Sequence, residues 1–252
     1  MLETAIVDLE CRLGLKPGQP VSSGGGKKPN NNNNNNNNKQ KKKPKQKKQQ
    51  QPAKTAAGPS PEELAAQPEI CKLEFKVGVI TKVWNHPEAD KLYCEEIDVG
   101  EDQPRQIASG LRPHFTLDEM MGQRLLVVAN LKAKNLVRFK SHGMVLCAVT
   151  GGDGESGGGG ETVEFVEPPP GANPGDTVSF EGLAKPMPLA PSQVEKKKVF
   201  RNCLEGLSAD AEGIATWNGH RFVVAGNSGD GGGGDGVDRY CRSKTVRNGI
   251  LR

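Results

Sequence analysis

The chain has 252 residues, and its hydrophobic (34%) and aromatic (4%) fractions are low for a globular protein, so a considerable part is expected to lie outside any packed core. Ten lysines and no acidic residue lie between Lys27 and Lys54, yet the whole chain has a formal net charge of only +4, so the remainder is net acidic. Six scattered cysteines without a C-x-x-C pair argue against a disulfide or zinc framework, and no apolar run approaches the roughly 20 residues that span a bilayer.

The first predicted element is a short amphipathic helix over residues 1–14. Leucine or isoleucine recurs every three or four residues from Leu2 to Leu13, and Gly14 ends the pattern. The stretch contains acidic residues and lacks a basic start, so it is not a secretory signal, and we expect a cytoplasmic protein. Because a helix this short is marginal in isolation, it is either a frayed terminus or a docking helix that orders on a partner.

Residues 15–69 are predicted to form a disordered linker, since they combine glycine, asparagine, lysine and glutamine with almost nothing apolar to bury. A solvated spacer is the simplest interpretation. Lysines without counter-charge also suit nucleic acid or an anionic surface, and KQKKKPKQKK matches a nuclear-import signal. The lysines to which we assign auxiliary phosphate contacts are Lys41, Lys42, Lys43, Lys45, Lys47 and Lys48.

From residue 70 the chain changes to short runs rich in valine, isoleucine, leucine and phenylalanine, each closed by a turn-forming residue. These runs predict the strands of a small β-barrel or sandwich. They are FKVGVITKVW, LYCEEIDVG, RQIASG, RLLVVANL, GMVLCAVT, TVEFVEP and DTVSFEG. SQVEKKKVFRNCLEGL is then predicted to be helical, and EGIATWNGHRFVVAG to form a hairpin that turns at Asn218 and Gly219. Two glycine tracts, residues 151–160 and 226–236, are predicted loop insertions.

The stretch KVWNHPEADKLYCEEIDVGE, residues 82–101, raises the question of a catalytic or metal site. Asp90 follows His86 by four residues, but Pro87 prevents the helix that would place both on one face. No histidine lies at zinc spacing to cysteines or acids, and no G-x-S-x-G, P-loop or H-E-x-x-H pattern occurs. We therefore expect no enzyme activity, no metal and no cofactor. The stretch is interpreted as a corner between two strands, with Trp84 and Tyr93 as packing or stacking residues.

A second segment stands out by its charge. Residues 120–152 contain no acid and five basic residues, which are Arg124, Lys132, Lys134, Arg138 and Lys140. An ordinary solvated loop is the simpler interpretation. A positive loop beside a barrel face is also a means by which a mildly acidic domain holds a phosphate backbone.

These segments carry a resemblance to a known family. VGVITKVWNHPEADKLYCEEIDVGEDQPRQIASGL, followed by NLKAK and VRFKSHGMVLCAV, resembles the tRNA-binding domain related to endothelial monocyte-activating polypeptide. That domain occurs in aminoacyl-tRNA synthetase cofactors and in the C-terminal extensions of tyrosyl- and methionyl-tRNA synthetases. Four family motifs occur in order, H-P-x-A-D-x-L-Y at 86–93, S-G-L at 109–111, N-L-K at 130–132, and S-x-x-M at 141–144. Arginine-glycine commonly precedes F-K-S in the family, whereas Phe139 follows Arg138 directly here, which shortens the loop by one residue.

The resemblance covers residues 70–252 and implies an all-β core. Residues 70–182 would form an OB-fold, a five-stranded barrel, and residues 183–252 a small α+β extension. The extension would pack on the barrel and imitate the dimer interface of smaller relatives, so that the domain is monomeric. The resemblance further implies recognition of tRNA by shape and backbone charge. The predicted tRNA-binding residues are Asn130, Lys132, Lys134, Arg138, Lys140, Ser141 and Met144.

We therefore expect a non-catalytic tRNA-binding cofactor of aminoacyl-tRNA synthetases that docks on its partner through residues 1–14. One alternative is the C-terminal tRNA-binding appendix of a tyrosyl- or methionyl-type synthetase, against which Met1 and the lack of H-I-G-H and K-M-S-K-S stretches argue. Another is a cytokine-like processed product. A generic single-strand binder would need more aromatic residues than this chain offers for stacking.

Overall fold

β-Strands dominate the part of the chain that the computed structural model describes, which is residues 60–150, 161–224 and 239–252. These residues belong to one compact unit that begins at Pro59. The predicted helix at 1–14, most of the predicted linker with its lysines, and both glycine tracts lie outside the described residues.

The described strands and helices are numbered here in chain order. The strands are β1 (Phe75–Asn85), β2 (Tyr93–Asp98), β3 (Arg105–Ser109), β4 (Arg124–Val128), β5 (Lys134–Leu136), β6 (Phe139–Ser141), β7 (Met144–Val145), β8 (Cys147–Thr150), β9 (Thr162–Phe165), β10 (Val178–Phe180), β11 (Leu207–Ala209), β12 (Ala215–Trp217), β13 (His220–Val224) and β14 (Ile250–Leu251). The helices are α1 (Pro61–Ala66), α2 (Leu117–Met120), α3 (Pro191–Lys196) and α4 (Val199–Cys203), with 3-10 turns at Glu69–Lys72 and Leu204–Gly206.

A five-stranded sheet in the order β3-β2-β1-β4-β7 forms the barrel. β1 pairs antiparallel with both β2 and β4, and a bulge between Ile80 and Lys82 bends it as barrel closure requires. The two edges meet where the His142 N–H donates to the Gln106 carbonyl at 2.8 Å. Met120 of α2 is fully buried and packs with the barrel's apolar core. The nearly closed five-stranded barrel confirms the predicted OB-fold class.

The C-terminal residues pack on the outside of this barrel. A seven-stranded sheet, β10-β13-β12-β11-β14-β8-β9, combines β8, β9 and β10, which follow the barrel strands in sequence, with β11 to β14 of the extension. Phe75 on β1 meets Phe180 and Phe222 edge to face, with ring centroids 6.0 and 5.2 Å away. All three rings are buried, and burying a phenylalanine contributes about 1.5–3 kcal/mol. Barrel and extension therefore share one apolar core, which is distinct from the core inside the barrel.

Helix α1 lies within residues 15–69, so the predicted linker ends earlier than expected. Ser60 caps the helix by accepting from the Glu63 N–H, and the Glu63 carboxylate accepts from the Ser60 N–H in return. This capping box satisfies two amide groups at the start of the helix. Gln67 then fastens the segment to the extension, since its amide donates to the Met187 carbonyl at 2.7 Å and accepts from the Met187 N–H.

The predicted helical segment SQVEKKKVFRNCLEGL forms helices α3 and α4, which are separated by a break at Lys198. The predicted hairpin is confirmed, since β12 and β13 pair around Asn218 (φ 49°) and Gly219 (φ 84°). Two positive φ angles are typical of the type I′ turn that matches strand twist. None of the helices that the structure describes is long and apolar enough to cross a membrane.

Candidate nucleic-acid interface

A small hairpin, β5–β6, projects from the barrel in the segment that the sequence singles out for its charge. Its three pairs are Lys134 with Ser141, Asn135 with Lys140, and Leu136 with Phe139. The turn has two residues, Val137 at φ 45° and Arg138 at φ 67°. Both lie in the left-handed region, as in a type I′ turn, although neither is the asparagine or glycine that this turn favours. The short loop thus presents Arg138 at the tip of a tight turn.

The hairpin is seated on the loop between β1 and β2. Phe139 packs edge to face against Trp84 (6.0 Å between centroids) and His86 (6.2 Å). Arg138 reaches across to Glu88, with 3.1 Å between nitrogen and oxygen. The stretch predicted as a corner does connect β1 and β2. Of its two bracketing aromatics, Tyr93 points into the barrel core and donates to the Phe115 carbonyl at 2.8 Å, whereas Trp84 is half-buried beneath the hairpin.

Four of the five cations of this segment lie on or next to the hairpin, in different positions. Lys134 lies opposite Ser141 and Lys140 opposite Asn135, and because successive side chains alternate between faces, the two lysines project from opposite faces of the hairpin. Both are exposed, and neither forms an ion pair with any residue that the structure describes. Lys132 precedes the hairpin and contacts Glu195 of α3 at 2.6 Å.

Two of the cations therefore have carboxylate partners, Lys132 with Glu195 and Arg138 with Glu88. Each partner in these pairs is about half or more exposed, and exposed ion pairs contribute about 0–1 kcal/mol. A phosphate group can replace either carboxylate at little cost in free energy.

Asn130 and Ser141, both predicted to contact RNA, lie inside the protein. Asn130 is 4% exposed; its amide donates to the carbonyls of Lys72 (2.9 Å) and Leu189 (3.0 Å), and its oxygen accepts from the Glu74 N–H (2.8 Å). These bonds occupy both amide hydrogens, which leaves no donor for a phosphate. We call residues 130–141, which include the hairpin, the basic loop. The hydrogen bonds of Asn130 tie the start of the basic loop to the first residues of the domain and to the extension.

Ser141 is equally buried, and its hydroxyl accepts from the Ala108 N–H (3.1 Å) and donates to the Gly143 carbonyl (3.1 Å). It anchors the end of β6 to strand β3. Met144 is half-buried and packs against the apolar core shared with the extension. In this conformation the polar atoms of Asn130 and Ser141 are directed inward, which differs from the predicted direct contacts with RNA.

An open groove of about 600 Å³ lies beside the hairpin, between β3, the basic loop and the first residue of α3. Lys132, His142 and Pro191 are among its lining residues. Arg105, which also lines it, holds Glu101 in a two-point ion pair (2.6 and 2.8 Å) and donates to the carbonyls of Ala129 and His142. The hydrogen bonds from Arg105 lower the pKa of Glu101 to about 2, so this acid remains ionised. Arg105 is thus held in place in the lining of the groove by several hydrogen bonds.

Comparisons with known proteins place this geometry in a family. A family model described as "Putative tRNA binding domain" matches residues 75–177. The crystal structure of the C-terminal domain of Plasmodium vivax p43 is 30% identical, superposes with a TM-score of 0.60, and covers 73% of this chain and 98% of its own. The chain belongs to this family of tRNA-binding domains.

Two longer relatives share the tRNA-binding domain. Aminoacyl tRNA synthase complex-interacting multifunctional protein 1 of Cricetulus griseus is 34% identical over 182 residues, which are 71% of this chain and 44% of that protein. The tRNA-aminoacylation cofactor arc1 of Schizosaccharomyces pombe is 34% identical over 192 residues, 74% of this chain and 39% of that protein. The chain thus spans less than half the length of either relative.

The tRNA-binding domain contains features that the sequence prediction missed. Glu88 and Glu195 contact Arg138 and Lys132 across 50 and 63 positions of sequence, a separation that no local pattern reveals. The sequence pattern predicts only a helix over the run Lys196–Lys198, although three consecutive lysines also indicate a charged surface. In the part of the chain that the structure describes, no group of three or more histidines, cysteines or acids is arranged to hold a metal ion. The six predicted tail lysines from Lys41 to Lys48 lie outside the described residues.

Proposed function

We propose that this chain is a non-catalytic tRNA-binding protein that acts in the cytoplasm as a cofactor of aminoacyl-tRNA synthetases. One observation carries the proposal: a hairpin inside the matched residues 75–177 holds exposed cations on a rigid support and on both of its faces. The two longer relatives, one named as a protein that interacts with the synthase complex and the other as a tRNA-aminoacylation cofactor, supply the cellular context.

The arrangement of Lys134 and Lys140 favours folded RNA over a single strand. Lys140 projects from the outer face of the hairpin, whereas Lys134 projects from the edge of the face that packs on the barrel, so each contacts a different stretch of phosphate backbone. Folded RNA presents two such stretches at fixed separation, whereas a flexible single strand must be ordered first. Lys132 and Arg138 add phosphate contacts when they exchange Glu195 and Glu88 for RNA.

Asn130 and Ser141 are assigned positioning roles in this proposal. Asn130 fixes the start of the basic loop through three hydrogen bonds, and Ser141 fixes the end of β6 on β3. The half-buried Met144 packs behind them. A loop held at both ends keeps its cations at constant spacing, which is what recognition by shape requires.

A non-catalytic role agrees with the placement of Glu95, a carboxyl group with a strongly raised pKa. Burial raises the pKa of Glu95 to about 8, a value suited to acid–base chemistry, but the side chain is fully buried. A substrate in solution does not reach it. We also propose that the C-terminal extension takes the place of a second subunit, because its strands cover the outer face of β1 and β8 with a shared apolar core.

The test replaces the two unpaired lysines of the hairpin, Lys134→Glu with Lys140→Glu, in the full chain. Reversing the charge of Lys134 and Lys140 breaks no ion pair in the described part of the protein, so the fold should be retained. Charge-assisted hydrogen bonds contribute about 1.5–3 kcal/mol each, so the loss of two should weaken tRNA binding at least tenfold. The matched control, Lys134→Arg with Lys140→Arg, keeps both charges and should bind tRNA nearly as the wild type does.

Affinities are measured by filter binding to intact tRNA and to an unstructured RNA of similar length, with circular dichroism to confirm folding. We expect the charge-reversed variant to lose more affinity for tRNA than for the unstructured RNA. A folded variant that loses affinity for both RNAs equally would reduce the hairpin to a non-selective charge patch. One that retains tRNA affinity would place the binding surface elsewhere.

A further inference from the structure

A second group of cations lies on the C-terminal extension, where α3 meets α4. We call Lys196, Lys197, Lys198 and Arg201 the lysine turn. All four are exposed, and none forms an ion pair with any residue in the described ranges. Between residues 182 and 204 the one acid is Glu195, whose carboxylate is engaged by Lys132. The lysine turn is therefore a surface of uncompensated positive charge.

The backbone of the lysine turn is held in a strained conformation. Lys198 has φ 55° and ψ 34°, the left-handed region, where a residue with a β-carbon costs about 1–2 kcal/mol. Val194 before it and Val199 after it are buried, so the surrounding fold fixes the turn. The negative end of the α3 helix dipole favours a lysine at position 196, in the last turn of the helix. It does not account for a lysine at position 198, which lies beyond the end of the helix. Strained residues that the fold holds in place are concentrated at functional sites.

The same feature occurs on the hairpin. Among the described residues, two cations have left-handed backbones, Arg138 at the tip of the hairpin and Lys198 in the lysine turn. Glycine or asparagine would be less strained at either position. Both positions thus carry a positive side chain at a site where backbone stability favours a different residue.

The lysine turn is continuous with the hairpin surface. Glu195, next to Lys196, contacts Lys132 at 2.6 Å, and Asn130 donates to the Leu189 carbonyl just before α3. Pro191, the first residue of α3, lines the same groove as Lys132. The helix that ends in the lysine turn is therefore joined to the residues before the hairpin by an ion pair and a buried hydrogen bond, and its first residue lines the same groove as Lys132.

We propose that the lysine turn is a second phosphate-binding site for the RNA that the hairpin holds, so that a single tRNA bridges the barrel and the C-terminal extension. The inference rests on the proposed function and extends it from one loop to a composite surface. Folded RNA suits this surface because its phosphates are spaced along a stiff backbone, as are cations on a fixed turn. Lys132, which pairs with Glu195 in the structure, would exchange that carboxylate for a phosphate of the same RNA.

The test variant is the full chain with Lys196→Gln, Lys197→Gln and Lys198→Gln. The matched control is Arg239→Gln, Lys244→Gln and Arg252→Gln. It removes the same number of positive charges from exposed residues of the extension, each of which forms an ion pair with a glutamate. All chains keep the lysine-rich N-terminal segment, so its contribution is equal throughout. Binding of tRNA is measured across a series of salt concentrations, because each phosphate contact adds about 0.7–0.9 to the slope of log affinity against log salt.

We expect the lysine-turn variant to bind tRNA about tenfold more weakly than the control at low salt, with a slope smaller by about 2. A lysine-turn variant that matches the control in affinity and slope would overturn the inference. So would a variant that keeps tRNA binding but loses binding to vesicles of anionic phospholipid, since the turn would then be a membrane contact. Wild-type protein that fails to bind tRNA would instead overturn the proposed function itself.

Lys198→Gly separates a binding role from a structural one. Glycine adopts the left-handed conformation without strain, so the thermal midpoint should stay equal or rise. The slope should fall by about 0.7–0.9, because one phosphate contact is lost. A variant with raised stability and unchanged tRNA binding would show that Lys198 makes no contact with the RNA.

Discussion

Glu95 is a carboxyl group enclosed in the barrel, and its removal should change how stability depends on pH. It lies on β2 opposite Val83 and Ile107, is fully buried, and has the Ser109 hydroxyl as its hydrogen-bond donor. Its second oxygen, Oε2, has no hydrogen-bond partner in the described structure. Burial disfavours the charged form and raises the pKa of Glu95 from 4.5 to about 8.

The consequence for stability follows from proton linkage. Below pH 4.5 both folded and unfolded chains hold the proton, and the group contributes no pH dependence. Between pH 4.5 and about 8 the folded protein retains a proton that the unfolded chain releases, so stability falls with rising pH by about 1.4 kcal/mol per unit. Across the whole interval the loss approaches about 5 kcal/mol, a large fraction of the 5–15 kcal/mol typical of a domain.

Glu95→Gln keeps the shape and an acceptor for Ser109 but removes the proton equilibrium. Its free energy of unfolding, from urea titrations at pH 5 to 8.5, should therefore fall less steeply with pH than that of the wild type, so the variant gains relative stability as pH rises. The thiols of Cys94 and Cys147 do not titrate in this range, since burial raises the pKa of Cys94 to about 11 and that of Cys147 to about 12. Glu96→Gln, a carboxyl on the outer face near Lys82, is the control and should keep the wild-type slope. Parallel profiles for wild type and Glu95→Gln would refute the reasoning.

Three further outcomes are expected. Glu88→Gln and Glu195→Gln should each tighten tRNA binding, by up to about fivefold in filter binding, because they remove a carboxylate that competes with phosphate for Arg138 or Lys132; weaker binding would contradict this. Deletion of residues 27–54 should flatten the salt dependence and raise the preference for tRNA over unstructured RNA, whereas an unchanged slope would make that segment a spacer or a localisation signal. Deletion of residues 1–14 should abolish co-purification with synthetases and leave tRNA affinity nearly unchanged; surviving association would reduce the segment to a frayed end.

Local patterns in the sequence predict the longer strands and the Asn218-Gly219 turn, because alternation and turn chemistry are properties of neighbouring residues, but they miss the short strands β5, β6, β11 and β14. They do not predict the Val137-Arg138 turn or the break at Lys198, where side chains unsuited to positive φ are held by tertiary packing. The capping box at Ser60 and Glu63 was visible in the sequence as S-x-x-E and would have shortened the predicted linker.

Some features of the candidate site can likewise be predicted from the sequence, whereas others follow only from the folded structure. Charge along residues 120–152 locates the exposed cations, and the hairpin shows where Lys134 and Lys140 project. The burial of Asn130 depends on residues 58 and 59 positions away, so its inward orientation follows only from the folded structure. A family motif identifies residues that matter without distinguishing those that touch the ligand from those that hold the loop.

Whether folded tRNA lies on the hairpin can be measured by crosslinking bound tRNA to the full chain. Irradiation of the complex, followed by digestion and mass spectrometry, identifies the peptides attached to RNA. We expect crosslinks within residues 130–142. Unlabelled tRNA should compete with their formation, whereas unstructured RNA of equal length should not. Crosslinks confined to the lysine-rich residues 27–54, with none in the hairpin, would contradict it.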